Sequence, residues 1–169
     1  MNQKNFFEFN FESLKNFLIK DLEIEKKKVS MRGKQIWQSV YKKGSFEIDN
    51  LTTFPLELRD KLNNLISMQR PKIINTQTSS DGTIKWLIKL FDGNDVECVY
   101  IPEKNRATLC ISSQVGCTLN CRFCHTGTQR LVKNLSFGEI VNQVMIAKEQ
   151  LNDWNEQKKI TNIVLMGMG

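Results

Sequence analysis

Apolar residues recur at helical intervals through the first third of the chain and at every second position later, so the pattern changes period part-way along. Phe11, Leu14, Phe17, Leu18 and Leu22 fall on one helical face, and Asn10 precedes them as an N-cap able to accept from a first-turn N–H. Lys26-Lys27-Lys28-Val29-Ser30 reads as a break, after which Ser30 is predicted to cap a second helix with Ile36, Trp37, Val40 and Tyr41 on its apolar face. Lys42 and Lys43 complement the negative end of that helix, and Gly44 permits the left-handed residue that closes it. A third helix is expected from Pro55, burying Leu58, Leu62 and Leu65. Pro71 opens a different texture. Thr83 to Phe91 and Val96 to Ile101 are β-forming runs around the turn Asp92-Gly93-Asn94-Asp95, which predicts a hairpin. Alternation on its second strand puts Glu97, Val99 and Ile101 on one side and Val96, Cys98 and Tyr100 on the other.

A third β run, Ala107 to Ser112, leads directly into Val115-Gly116-Cys117-Thr118-Leu119-Asn120-Cys121-Arg122-Phe123-Cys124. Ser136-Phe137-Gly138-Glu139 then forms a capping box, opening a helix whose buried spacing is read as Ile140, Val141, Val144, Met145 and Leu151. Ile163-Val164-Leu165-Met166 follows as a nearly continuous apolar strand, the type buried on both faces of a parallel sheet. The order strand, cysteine loop, helix, strand is a βαβ unit with its chemistry at the C-terminal end of the first strand. The class is α/β, with expected divisions at 1–75 (helical), 76–105 (hairpin) and 106–169 (βαβ). A βαβ unit leaves much of a sheet uncovered, so the chain is expected to be part of a longer α/β protein.

Composition narrows the class. The 169 residues are 40% hydrophobic and 25% charged, which is globular. No stretch approaches the roughly 20 apolar residues of a membrane helix and the first residues lack a secretory pattern, so a cytoplasmic location is expected. In that compartment the five cysteines suggest ligands or chemistry before disulfides. The net charge of +6 lies wholly in residues 1–90, with 16 basic against 10 acidic side chains, while residues 91–169 balance at 8 each. A positive surplus suits a polyanion such as RNA, for which Arg32, Lys34, Lys42 and Lys43 are the candidate phosphate contacts; Trp37 and the phenylalanines are read as core.

Three thiolates spaced by three and then two residues can converge on one loop face, and soft sulfur favours zinc or an iron-sulfur cluster. One loop supplying three ligands leaves a metal position open for substrate or cofactor. Three classes follow: an enzyme using that open position, a zinc-stabilised RNA-binding module with Cys110 as fourth ligand, and a ferredoxin-like electron carrier. The zinc module lacks paired CxxC halves, and the carrier lacks a fourth nearby ligand. Cys98 reads as a small core residue, and His125 as structural.

Cys117, Cys121 and Cys124, with Phe123 just before the last, resemble the signature of radical S-adenosylmethionine (SAM) enzymes. The flanks Val96-Glu97-Cys98-Val99-Tyr100-Ile101-Pro102, Arg106-Ala107-Thr108-Leu109-Cys110, Ser113-Gln114-Val115-Gly116 and Gly167-Met168-Gly169 are similar to the RlmN/Cfr family of RNA adenine methyltransferases, the RlmN branch in particular. Lys34-Gln35-Ile36-Trp37 and Tyr41-Lys42-Lys43-Gly44 resemble that family's basic accessory domain. The resemblance implies an RNA-binding accessory domain, then a hairpin, then the start of a partial (β/α) radical SAM barrel cut after its second strand. It implies a [4Fe-4S] cluster on Cys117, Cys121 and Cys124, with SAM on the fourth iron. Phe123 would lie near the SAM adenine, and Gly167, Met168 and Gly169 near its amino group. Glu97 matches the general base, and Cys110 the resolving cysteine that forms a transient disulfide with a methyl-carrying cysteine. That last cysteine lies beyond Gly169 in relatives, so the chain is expected to be an inactive N-terminal fragment. The implied activity is methylation of carbon 2 of an adenine in 23S rRNA, with tRNA as a second substrate, using an electron donor such as flavodoxin or ferredoxin. Cfr-like carbon-8 methylation is the alternative within the family.

Overall fold

The computed structural model describes residues 3–118, 124, 126–154 and 159–168. The elements run β1 (Lys4–Asn5), α1 (Phe11–Lys20), α2 (Lys26–Lys43), α3 (Leu56–Leu65), β2 (Ile66–Ser67), β3 (Lys72–Thr78), β4 (Ile84–Lys89), β5 (Asp95–Pro102), β6 (Ala107–Cys110), β7 (Gln114–Val115), β8 (Lys133–Asn134), α4 (Phe137–Leu151) and β9 (Asn162–Val164). They form two compact units, Met1–Gln69 and Arg70–Gly169.

In the first unit α1 begins as the sequence predicts, with the Asn10 side chain accepting from the Ser13 N–H. The start of α2 differs. The lysine triplet is not a break; the helix runs from Lys26, and Ser30 sits inside it. Glu25 sits beside the crowded charges, its carboxylate pairing with Lys27 (2.9 Å) and Lys28 (2.6 Å), while Val29 is buried and so draws this turn onto the core. Gly44 closes α2 in the left-handed region at φ 66°, its N–H donating to the Ser39 and Val40 carbonyls. Of the apolar face expected on α3, Leu62 is buried whereas Leu58 and Leu65 are half-buried. Trp37 packs tilted against Tyr41 at 4.6 Å and edge-on to Phe11 at 5.6 Å, so it belongs to the packing. Arg32 is likewise engaged, donating to the Thr53 carbonyl at 2.7 Å over the Phe54 ring; Lys34, Lys42 and Lys43 are exposed.

The second unit is built on one five-stranded sheet in the order β3-β4-β5-β6-β9. The predicted hairpin is β4–β5, its turn closed by Gly93 at φ 89°. It is continuous with the βαβ unit, because β5 pairs antiparallel with β6 and β6 parallel with β9. β3 has no counterpart in the sequence reading; its polar residues Asn75, Thr76, Gln77 and Thr78 mask a strand that pairs along the whole of β4. One sheet face carries Trp86, Ile88, Val96, Cys98 and Leu109 into a core with Ile146 and Ala147 of α4. The buried side of α4 is rotated from the expected one. Asn142, Gln143, Met145, Ile146 and Ala147 are buried, and Ile140, Val141, Val144 and Leu151 are half-buried. Nor is the predicted apolar strand buried on both faces: Ile163 of β9 is exposed, as are Leu165 and Met166 beyond it, and β9 lies at the edge of the sheet.

The charge distribution also changes once the units are known. Each holds 12 basic against 9 acidic residues, so the surplus is shared equally. Arg70, Lys72, Lys85 and Lys89, which weight the first 90 residues, lie in the second unit, the three lysines on its sheet.

Candidate active site

The cysteine loop leaves the sheet beyond β6 and is closed at its base by the antiparallel pair β7–β8, which matches Gln114 with Asn134 and Val115 with Lys133. The Val132 N–H donates to the Val115 carbonyl (2.8 Å), and the Cys117 N–H to that of Gln129 (3.1 Å). Gly116 makes this closure possible. Its φ is 79°, and a Cβ there would overlap the Arg130 carbonyl, whose carbon would lie 2.7 Å away. Cys117 and Cys124 are both half-buried, and the Cys124 carbonyl accepts from Gly127 at 3.0 Å. Cys121, Phe123, His125 and Gly169 lie outside the described residues. Among the described residues no three His, Cys, Asp or Glu side chains converge as a metal site. Two partly accessible thiols on a loop pinned at its base fit a soft metal centre by donor chemistry and by access.

Gly167 and Met168 return to the root of this loop. A Cβ on Gly167 would come within 2.9 Å of Ser112 Oγ and 3.1 Å of the Ile111 carbonyl oxygen, so only glycine fits there without a shift. The Met168 carbonyl accepts from the N–H groups of Ser113 (2.8 Å) and Gln114 (3.0 Å), and its side chain is buried in the core. Two groups that the sequence reading missed brace the same place. Gln143, on the apolar side of α4, accepts from the Ser112 N–H (2.8 Å) and donates to the Ser112 carbonyl (2.9 Å). Lys133 on β8 binds Asp92 of the hairpin turn (2.5 Å) and Glu139 of the α4 capping box (2.7 Å), tying three elements together. Those bonds raise the Lys133 pKa against the opposing pull of burial; the same lysine, with the Asn94 N–H, lowers that of Asp92 to about 2. An amide in an apolar helix stripe was the one legible sign of Gln143; nothing local marks Lys133.

Glu97 and Cys110 share the sheet face opposite α4. Register pairs Val99 with both Lys85 and Cys110, and Glu97 with Leu87, so the carboxylate and the thiol stand one rung apart on adjacent strands. Lys85 holds Glu97 at 3.1 Å. Cys98 points the other way, fully buried, and desolvation, then the Cys110 charge, pushes its thiol up to about 12; it is inert as a nucleophile at neutral pH.

No family model matches the chain. Two curated proteins described as dual-specificity RNA methyltransferase RlmN match most of it. The one from Rhodopseudomonas palustris (strain BisB5) is 51% identical over 151 residues, covering 82% of this chain and 38% of its own length. The one from Bradyrhizobium sp. (strain ORS 278) is 48% identical over 161 residues, covering 88% and 40%. The crystal structure of a radical SAM methyltransferase from Sphaerobacter thermophilus superposes with a TM-score of 0.83 at 32% identity, over 98% of this chain and 47% of that one. The chain is a homologue of RlmN. It spans about two-fifths of the length of the curated RlmN proteins it matches. The mixed α/β architecture is that of a part of a radical SAM methyltransferase, and no helix among the described residues is long and apolar enough to cross a membrane.

Proposed function

We propose that the chain forms the RNA-binding and cluster-bearing part of a radical SAM methyltransferase that modifies carbon 2 of an adenine in 23S rRNA, and of tRNA as a second substrate, in the cytoplasm. The observation that carries this reading is the placement of Glu97 and Cys110 one rung apart on one sheet face, on strands leading to the cysteine loop. Cys117, Cys121 and Cys124 would hold a [4Fe-4S] cluster. Phe123 and the backbone of Gly167, Met168 and Gly169 would border SAM. When bound and reduced by a flavodoxin or ferredoxin, this pair supplies the radical needed to functionalise an unactivated ring carbon. The protein's own residues orient and move protons. Glu97, held by Lys85, is the base that takes the ring proton after the methyl group has joined the carbon. Cys110 supplies the thiolate that displaces the product from a methyl-carrying cysteine, leaving a disulfide between the two sulfurs.

No cysteine among the 169 residues is suited to carry that methyl group. Three are assigned to the cluster, Cys110 to resolution, and Cys98 is buried with its thiol held protonated. The polypeptide alone is therefore inactive. The first unit, Met1–Gln69, acts as the accessory RNA-binding domain, the β4–β5 hairpin delivers Glu97, and residues 106–169 serve as the first part of a (β/α) barrel.

Anaerobic reconstitution tests the reading. Iron and sulfide should load in equal amounts and be lost when Cys117, Cys121 and Cys124 are replaced by alanine, and the reduced cluster's spin-resonance signal should shift on adding SAM. Zinc loading in place of iron would replace this reading with the zinc-stabilised RNA-binding module. Formation of methyladenosine by the 169-residue polypeptide would overturn its inactivity.

A further inference from the structure

Strand β3 contains an irregularity whose effect is chemical. Ile73 pairs with Ile88 and Asn75 with Leu87, so Ile74 is an extra residue, a β-bulge in an otherwise regular antiparallel pair. Ile73 and Ile88 lie on the core face, and Ile88 is wholly buried. In a regular strand Asn75 and Gln77 would follow Ile73 onto that face, away from Glu97. The inserted residue reverses the alternation. Asn75 and Gln77 instead stand on the face of Glu97, beside Leu87 and Lys85 respectively. With those side chains they line an open cleft of about 190 Å³.

Its lining suits one kind of occupant. Leu87 offers an apolar floor for a flat ring. Asn75 and Gln77 each carry a donor and an acceptor in the planar arrangement that matches the paired donor and acceptor of an adenine edge. Glu97 occupies the adjoining strand at the level of Leu87, and the Lys85 contact keeps its carboxylate turned into the cleft. We infer that the β-bulge at Ile74 builds a nucleobase-binding cleft on the outer sheet face, in which the Asn75 and Gln77 amides read the edge of an adenine and present its ring to Glu97. This inference rests on the RNA-adenine reading above and supplies its substrate-recognition residues. Asn75 and Gln77 are exposed and take no part in the core, so the inference can be probed without unfolding the sheet.

The experiment measures binding of the 169-residue chain to two fluorescent oligouridine pentamers by anisotropy, one with a central adenosine and one with an abasic residue there. A bidentate amide-to-adenine contact discriminates by about 1–3 kcal/mol, so the adenosine pentamer should bind at least about fivefold tighter. The double variant Asn75→Ala/Gln77→Ala should bring that ratio to about one while leaving abasic binding and the thermal transition unchanged. A ratio near one in the wild-type chain, or a preference that survives in Asn75→Ala/Gln77→Ala, overturns the inference. The parent reading fails separately: iron loading with a SAM-responsive signal but no adenine preference removes the cleft alone. An adenine preference lost in the variant, in a chain that loads zinc, supports the cleft and removes the radical chemistry.

Discussion

Replacing Gly116 by alanine should open the cysteine loop at its base while leaving the five-stranded sheet intact. Two costs add. At φ 79° an L side chain in the left-handed region loses about 1–2 kcal/mol, and the new Cβ overlaps the Arg130 carbonyl, a backbone atom that cannot rotate aside. Relief of that overlap separates β7 from β8 and endangers the Cys117-to-Gln129 and Val132-to-Val115 hydrogen bonds, each contributing about 1 kcal/mol net. The closed loop should therefore lose about 3–4 kcal/mol in total. Gly93 provides the control, because it has φ 89° with nothing within 4 Å of an added Cβ. Gly93→Ala should lose only the conformational part, about 1–2 kcal/mol. Amide hydrogen exchange by mass spectrometry reads both. In Gly116→Ala the Cys117 and Val132 amides should exchange at least about 100-fold faster, with the β4 and β5 amides little altered. Iron retained after reconstitution and desalting should fall in that variant and hold in Gly93→Ala. Equal effects of the two substitutions would refute the steric argument, and unchanged exchange at Cys117 would refute the whole account of the loop base.

Gln143→Leu strips both partners from the buried Ser112 backbone and should cost about 2–4 kcal/mol, seen as a lower urea midpoint for the unit holding the sheet. Asp92 is held down to about 2 by Lys133, so its contribution is present above about pH 4 and is lost as pH falls through about 2. The carboxylate is partly exposed, so that contribution is about 1 kcal/mol or less; Asp92→Asn should flatten the acid limb of a stability-against-pH curve between those limits. Cys98, buried with its thiol raised to about 12, should resist iodoacetamide at pH 8 in the folded chain while Cys110 reacts, as peptide mapping would show. Alkylation of Cys98 at the rate of a free thiol would contradict its placement.

What the sequence determined alone was whatever depends on neighbours within a turn or two. Asn10 caps α1 and Ser136 with Glu139 caps α4, because a cap bonds N–H groups two or three residues away. Gly44 ends α2 and Gly93 turns the hairpin for the equally local reason that positive φ excludes side chains. The alternation along β5 correctly separated Glu97 from Cys98, and the cysteine spacing with its flanks pointed to the RlmN relatives. What only the tertiary structure decided was every matter of pairing between distant segments. The lysine triplet is helical because Val29 docks on a core and Glu25 pairs with two lysines. β3 is a strand because β4 offers it a partner, despite polar residues that favour no element. Whether Asn75 and Gln77 meet Glu97 depends on a single extra residue in that pairing, and strand register is a property of two chain segments, invisible in either alone.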